Sequence, residues 1–186
     1  MPSSFVFETP LGFFAIAWSE RGLTRLVLPE RDAGAALRRL AARGPAAASA
    51  VSEEALPVEI ASLVVAIRRY ADGGEVDFGF VAVDLSGVDD FRRDVYAAAR
   101  ELAHGQAVTY GELAALAGHP GEARETGTAL GRNPVPLVIP CHRIVAAGGK
   151  LGGFSAPGGN ATKARLLAHE RARFPARDAA QGSFAF

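Results

Sequence analysis

The chain has 186 residues, 49% hydrophobic and 22% charged, with a formal net charge of zero, a composition that fits an ordinary globular protein with a real core in one large or two small domains. No apolar run reaches membrane-spanning length, and the N-terminus, MPSSFVFETP, lacks the basic-then-apolar layout of a signal peptide. The single cysteine, Cys141, excludes internal disulfides and a multi-thiolate zinc site, and it points to a reducing, cytoplasmic setting.

Alternating apolar and polar residues around turn signals predict three strands, FVFE, GFFAIAWS and LTRLVLPE, with Glu20-Arg21-Gly22 as a hairpin turn. Helical spacing follows over 32–43 (Ala36, Leu37, Leu40), then an Ala/Gly/Pro-rich connector near 44–50. A second helix is predicted over 57–70, PVEIASLVVAIRRY, and a further strand over 76–85, VDFGFVAVDL. Residues 1–87 thus read as a small α/β domain without a catalytic cluster of its own, and Ser86-Gly87 reads as the start of a linker.

From Asp89 the pattern turns helical. DDFRRDVYAAARELAHG places Phe91, Val95, Ala98 and Leu102 on one face, and Asp89 and Asp90 suit a helix N-terminus. Thr109 and Glu112 have capping-box spacing, so a helix is predicted to start at Thr109 and to stop at Gly118 and Pro120. A third helix fits GEARETGTALGR before Asn133-Pro134. Two short helices around a tight Gly-His-Pro turn read either as a helix-turn-helix or as a pair packed into a core. Residues 143–147 (RIVAA), the turn GGK and LGGFS predict a short strand pair or wing. Asn160 is the predicted cap of a last helix, ATKARLLAHERAR, which completes a domain over 88–174. Residues 175–186 carry no periodicity and predict a loose tail. Charge divides along the same line: residues 1–87 hold eight Lys/Arg against eleven Asp/Glu, and residues 88–174 hold eleven against eight. Attraction to phosphate is therefore concentrated in the half that carries Cys141.

Cys141 lies in NPVPLVIPCHRIV, residues 133–145. A thiol attacks carbon only as thiolate; a free cysteine has a pKa of about 8.5, which basic neighbours or a helix N-terminus lower. Pro140 begins the turn, His142 offers a base and Arg143 adds positive charge. In extended chain, neighbouring side chains point to opposite sides, so contact between Cys141 and His142 needs a bent backbone or a bridging water. A carboxylate from elsewhere, with Glu170 on the last helix as candidate, could orient the imidazole. The residues alone leave the plainer readings open: a core thiol, a surface histidine, and a solvated Glu170 between His169 and Arg171.

The string PVPLVIPCHRIV, followed by GGKLGGFS and KARLLAHE, resembles the O6-alkylguanine-DNA alkyltransferase family, whose hallmark is PCHR followed by a hydrophobic pair. VTYGELAALAG and ARETGTALGRNP match that family's helix-turn-helix in order and spacing. The resemblance covers residues 88–171, and TPLGFFAIAWSERGLTRLVL is similar to the family's opening hairpin. It implies an α/β fold: a small N-terminal α/β domain of the RNase H-like kind with a three-stranded sheet, and a mostly helical C-terminal domain with a winged helix-turn-helix. It also implies that Cys141 accepts an alkyl group irreversibly and once, from O6-alkylguanine in double-stranded DNA after base flipping, and it leaves open whether O4-alkylthymine is a second substrate. His142 takes the thiol proton through a water, and Glu170 orients it. Asn133 braces the turn, and Tyr110 donates to the guanine ring. Arg124 is the finger that fills the vacated space. Thr109, Tyr110, Ala123, Arg124 and Thr128 form the implied DNA-binding set, and Ile144, Phe154 and Ser155 line the base pocket. No cofactor, no metal, no membrane and a monomer are expected.

The chain departs from that family at several positions. Arg92 and Tyr96 stand where Gln and Trp are usual, Glu125 and Thr126 where small apolar residues are usual, Phe154 where Tyr is usual, and Arg165 where an aromatic is usual. The loop SAPGGNATK is two residues longer than the commonest form. Three other readings compete: a non-catalytic alkylated-DNA binder, which replaces the cysteine; a transcriptional regulator, whose relatives carry a cysteine-rich metal domain; and a cysteine hydrolase, for which no oxyanion-hole signature is present.

Overall fold

The computed structural model describes residues 3–42 and 49–174. The predicted loose tail at 175–186 and most of the 44–50 connector lie outside the described residues.

Three strands open the chain, β1 (Ser3–Thr9), β2 (Gly12–Ser19) and β3 (Gly22–Glu30). They pair antiparallel in sequence order, Phe7 opposite Phe14 and Ile16 opposite Leu26. A two-residue strand, β4 (Ser49–Ala50), adds parallel to β1 and gives the order β3-β2-β1-β4. Alternation decides the two faces of this sheet. Ala15, Ala17 and Val27 turn to helix α1 (Ala33–Ala41), against Ala36 and Leu40. Phe7, Phe14, Ile16, Leu26 and Leu28 turn to the main core, where helix α2 (Val58–Ala71) contributes Leu63, Val64, Ile67 and Tyr70. Asp32 caps α1 by accepting from the Ala35 amide.

Residues 76–85 are not the predicted strand. The segment runs along β3, bridging Leu23 to Val83, with Leu23 N–H donating to Ala82 O and Asp84 N–H to Leu23 O. Several of its backbone groups, and the amide just after it, have side-chain partners that a ladder cannot share. Asp77 accepts from the Gly79 amide, Asp84 from the Ser86 amide, and Arg100 donates to the carbonyls of Gly79 and Val81. Alternation alone therefore misread an extended loop.

Helix α3 (Asp90–Arg100) starts at the cap Asp89, which accepts from the Arg92 amide. A short strand, β5 (Val108–Thr109), leads into α4 (Tyr110–Leu116), where the capping box of Thr109 and Glu112 is complete. After the Gly118-His119-Pro120 turn comes α5 (Ala123–Gly131). Tyr96 of α3, in the position where the sequence departs from its relatives, is fully buried and donates to the Ala129 carbonyl of α5, 2.8 Å away. The tyrosine hydroxyl thus pins α5 against α3. His119 reaches Asp94 at 3.0 Å and fixes the turn to the same helix.

Two further expectations are corrected. Ile144–Val145, strand β6, pairs in parallel with β5 and not with LGGFS, which carries no strand. Side chains hold the carbonyls such a pair would need: Lys163 donates to Ile144 O and Gly153 O, and Tyr110 to Gly153 O. Asn160 is the first residue of helix α6 (Asn160–His169), not its cap. Gly159 precedes it, and the turn is closed by Gly159 N–H on Ala156 O and by the Thr162 hydroxyl on Pro157 O.

One hydrophobic cluster runs from Phe14 and Ile67 through Tyr96 and Leu113 to Ile139, Cys141 and Leu166. The sheet, the helix-turn-helix and the cysteine turn therefore share a core. The Leu26 amide of β3 even donates to Pro134 O, at the start of that turn.

Candidate active site

Residues 133–140 form a tight loop that ends α5 and presents Cys141. Asn133 holds it from within: its Nδ2 donates to Ile139 O at 2.7 Å and its Oδ1 accepts from the Val135 amide at 3.0 Å. Leu137 adopts φ +77° while almost fully buried, a conformation that costs a non-glycine residue of the order of 1 kcal/mol and persists only where packing enforces it. Cys141, His142 and Arg143 then form one turn of 3-10 helix, which is the bent backbone that a neighbouring Cys-His pair needs.

Behind the thiol stands a buried ionic network. His142 Nε2 lies 2.7 Å from Glu170 Oε1, and both side chains are essentially inaccessible. Arg143 donates from Nε to Glu170 Oε2 (2.8 Å) and from Nη2 to Oε1 (3.0 Å). The Gly105 amide completes Oε2 at 3.0 Å, and the Tyr70 hydroxyl donates to Oε1 at 3.0 Å. Burial pushes the Glu170 carboxyl up, but the donors from His142 and Arg143 outweigh it and hold the group well below the usual carboxylate range. Burial also dominates at His142 and lowers it against the pull of Glu170, so the resting imidazole is neutral at pH 7. With Nε2–H assigned to Glu170, the remaining nitrogen is a lone-pair acceptor. That atom, Nδ1, is buried and has no protein partner.

Cys141 itself is 8% exposed. Burial raises its thiol above the ordinary value, opposed by Asn133, by the positive charge of Lys163 and by the backbone amide of His142. Lys163 has no accessible surface. It sits 5.5 Å from the Tyr110 ring centroid and 5.9 Å from that of Phe154, and burial lowers it to about 8. Arg143 supplies its charge to Glu170 and to Leu102 O, not to the thiol as its place in the sequence suggested.

The thiol opens into a cavity of about 590 Å³ lined by Tyr110, Arg124, Gly127, Thr128, Phe154 and Ser155, among others, within the ordinary range of small-ligand sites, about 300–1,000 Å³. The predicted residues divide around it. Ala123, Arg124 and Thr128 bring the outer face of α5 to its mouth, with Arg124 and Thr128 exposed. Tyr110 stands on its wall, donating to Gly153 O at 3.1 Å. Thr109 caps α4, and Ile144 lies beneath in the core with its carbonyl on Lys163. Asn133 lies on the other side of Cys141, in the loop. Gly152 makes the Tyr110 contact possible: at φ +70°, a Cβ there would lie 2.9 Å from the Tyr110 ring. Of the two unusual residues in α5, Thr126 turns into the core and Glu125 into solvent.

Three residues of the network escaped the sequence reading: Tyr70, Gly105 and Lys163. Only Lys163 carried a signal, as the one lysine of the string KARLLAHE. Among the described residues no group of three or more His, Cys, Asp or Glu could hold a metal ion, and no helix is long and apolar enough to cross a membrane.

A helix-turn-helix whose second helix rims a cavity, with a lone thiol at the floor and a buried His-Glu pair behind it, defines a DNA-binding protein built around a nucleophilic cysteine. Residues 90–172 match the family described as 6-O-methylguanine DNA methyltransferase, DNA binding domain. The methylated-DNA–protein-cysteine methyltransferase of Methanothermobacter thermautotrophicus is 34% identical over 161 residues, covering 87% of this chain and 81% of that one. The protein of the same name from Mycolicibacterium paratuberculosis is 40% identical over 120 residues, 64% of this chain and 70% of that one. Among solved structures, the Mycobacterium tuberculosis O6-methylguanine methyltransferase superposes with a TM-score of 0.70 at 31% identity, over 95% of this chain and 96% of that one. Its complex with DNA also gives 0.70, at 30% identity over 94% and 96%. The chain belongs to the methylated-DNA–protein-cysteine methyltransferase family.

Proposed function

We propose that the protein repairs DNA by direct reversal, moving the alkyl group of O6-alkylguanine in duplex DNA onto Cys141. One observation carries the proposal: the only thiol of the chain closes the floor of a cavity rimmed by α5, and the next residue, His142, is held 2.7 Å from Glu170.

The alkyl carbon on O6 points into the duplex, out of reach of a thiol until the nucleotide is turned out, which costs a few kcal/mol. Arg124, exposed at the cavity mouth, occupies the vacated space and offsets part of that cost. Ala123 and Thr128 carry the adjoining backbone, while Thr109 fixes the start of α4. Phe154 and Ser155 bound the flipped base, and Ile144 supports the floor from below. The Cys141 proton passes through a water to His142 Nδ1, which has no protein partner. Sγ bonds to the alkyl carbon as the carbon–O6 bond breaks, and the electron pair goes to the purine. Tyr110 releases Gly153 O and donates to the guanine ring as charge develops there. After transfer the His142 imidazolium gives its proton to solvent and the guanine anion takes one up, so atoms and charge balance. Asn133 and Lys163 favour the thiolate throughout.

The thioether formed is stable to water and to thiols, and the chain holds no other cysteine to take a second alkyl group. Each molecule therefore acts once, in a reducing compartment such as the cytoplasm, since the acceptor must stay a free thiol; one chain carries every group the transfer uses, so we take the acting species to be a monomer. No cofactor enters these steps. Residues 1–87 and 88–174 form the two domains, with Cys141 in the second. The presence of Cys141 weighs against a non-catalytic binder of alkylated DNA. The test is a duplex in which O6-methylguanine blocks a restriction site. Cleavage should be restored up to one equivalent of protein and no further; restoration by Cys141→Ser would refute the assignment.

A further inference from the structure

Tyr70 belongs to α2, far in sequence from the cysteine turn, and the transfer steps above make no use of it. It is fully buried. Its ring is walled by Phe78 (6.1 Å between centroids), His104 (5.9 Å) and His169 (4.9 Å), and His169 Nε2 reaches its backbone carbonyl at 2.6 Å. This clamp leaves the hydroxyl one direction, toward Glu170 Oε1 at 3.0 Å. A tyrosine in an apolar site could be replaced by phenylalanine without penalty; one aimed at a buried carboxylate has a defined effect. Oε1 also receives His142 Nε2 and Arg143 Nη2. Three donors therefore share one oxygen, and each reduces the charge available to the others.

We propose that Tyr70 is a positioning residue of the transfer reaction, through which the packing of the N-terminal domain sets the orientation and basicity of His142. The inference rests on the alkyl-transfer reading. The charged or titratable groups facing the pair are Arg143 on its own turn, Lys163 of α6 and Tyr70 from α2, with the Gly105 amide as an uncharged donor and with His104 and His169 packed on the Tyr70 ring. Of these, Tyr70 alone comes from the N-terminal domain, and burial with the adjacent Glu170 charge pushes its own ionisation far above the usual tyrosine range. It therefore acts as a neutral donor at every working pH. Losing that donor leaves Oε1 more negative toward His142, so the imidazolium is favoured and the neutral base is lost at a higher pH.

The experiment is the single-turnover rate of transfer from an O6-methylguanine duplex as a function of pH, for the wild type and three variants of the full chain. Tyr70→Phe should move the acid limb of the profile up by about half a pH unit, lowering the rate on that limb about threefold. A ring-fluorinated tyrosine placed at position 70 is a stronger donor of the same shape and should move the limb down. Phe78→Leu loosens the same packing but keeps the hydroxyl, and should leave the limb in place. An unmoved limb in Tyr70→Phe, or an equal movement in Phe78→Leu, overturns the proposal and makes Tyr70 structural. Should Tyr70→Phe not fold, the fluorinated protein decides by the same criterion, since its limb moves down or the proposal fails. A wild type that accepts no methyl group at all would instead overturn the alkyl-transfer reading.

Discussion

His142 and Glu170 stand 28 residues apart in sequence and 2.7 Å apart in space, both with side chains closed to solvent. A buried carboxylate is tolerated only when every lone pair is engaged. Glu170 meets that condition with donors from α2, from the loop after α3, and from the cysteine turn itself. The site is thus assembled by tertiary packing, with partners drawn from residues 65 to 100 positions away.

Glu170→Gln keeps the shape and removes the charge, leaving Arg143 buried without a counter-ion. Urea unfolding at pH 7 should show a loss of about 3–5 kcal/mol, the usual result of breaking a buried pair. The wild-type carboxyl is held below its unfolded value, about 4.3. Its stabilisation is therefore fully present above that pH and is lost as pH falls below it toward the depressed folded value. The variant should lack this part of the acid-side decline.

Lys163→Met removes the one ammonium whose charge favours the Cys141 thiolate. Iodoacetamide labelling of Cys141 at pH 7.5 should slow about three- to tenfold. Because burial lowers Lys163 to about 8, its charge fades as pH rises through that value. The wild-type transfer rate should stop rising there, an inflection the variant should not show.

Gly152→Ala places a methyl group 2.9 Å from the Tyr110 ring at a residue with φ +70°. Displacement of Tyr110 should slow transfer about tenfold or more, on the scale of a misplaced donor, while duplex binding measured by anisotropy stays close to wild type. Equal loss of binding and transfer would place Tyr110 in DNA contact and not in the chemical step.

Glu125→Gln should strengthen binding to undamaged duplex about two- to fivefold at low salt, with the gain shrinking as salt is added. Glu125 is exposed on α5 next to Arg124, and removing its charge relieves repulsion from phosphate. Arg124→Ala should weaken the same binding.

Local signals were legible wherever a residue acts on its sequence neighbours. The helix starts at Asp89 and Thr109 and the strands β1 to β3 are of this kind, and so is the turn around Cys141. What sequence pattern misses is the partner brought by packing. Tyr70 lies 100 residues from Glu170, and Gly105 lies 65 away, with no periodicity to mark either. Lys163 looks like a solvated helix residue until its ammonium is seen on two backbone carbonyls. The segment 76–85 failed for the converse reason. Its alternation is that of a strand, but Asp77 and Arg100 take some of its backbone groups, and Asp84 turns the chain at Ser86.

The central claim is tested most directly by intact-protein mass after mixing with a duplex carrying one O6-methylguanine, with peptide mapping and Cys141→Ala alongside. The account predicts a gain of one methylene per molecule, confined to the peptide holding Cys141, capped at one equivalent of repaired base and absent from the variant. An unchanged mass despite measurable binding to the lesion would contradict it and leave a protein that recognises alkylated DNA without accepting its alkyl group.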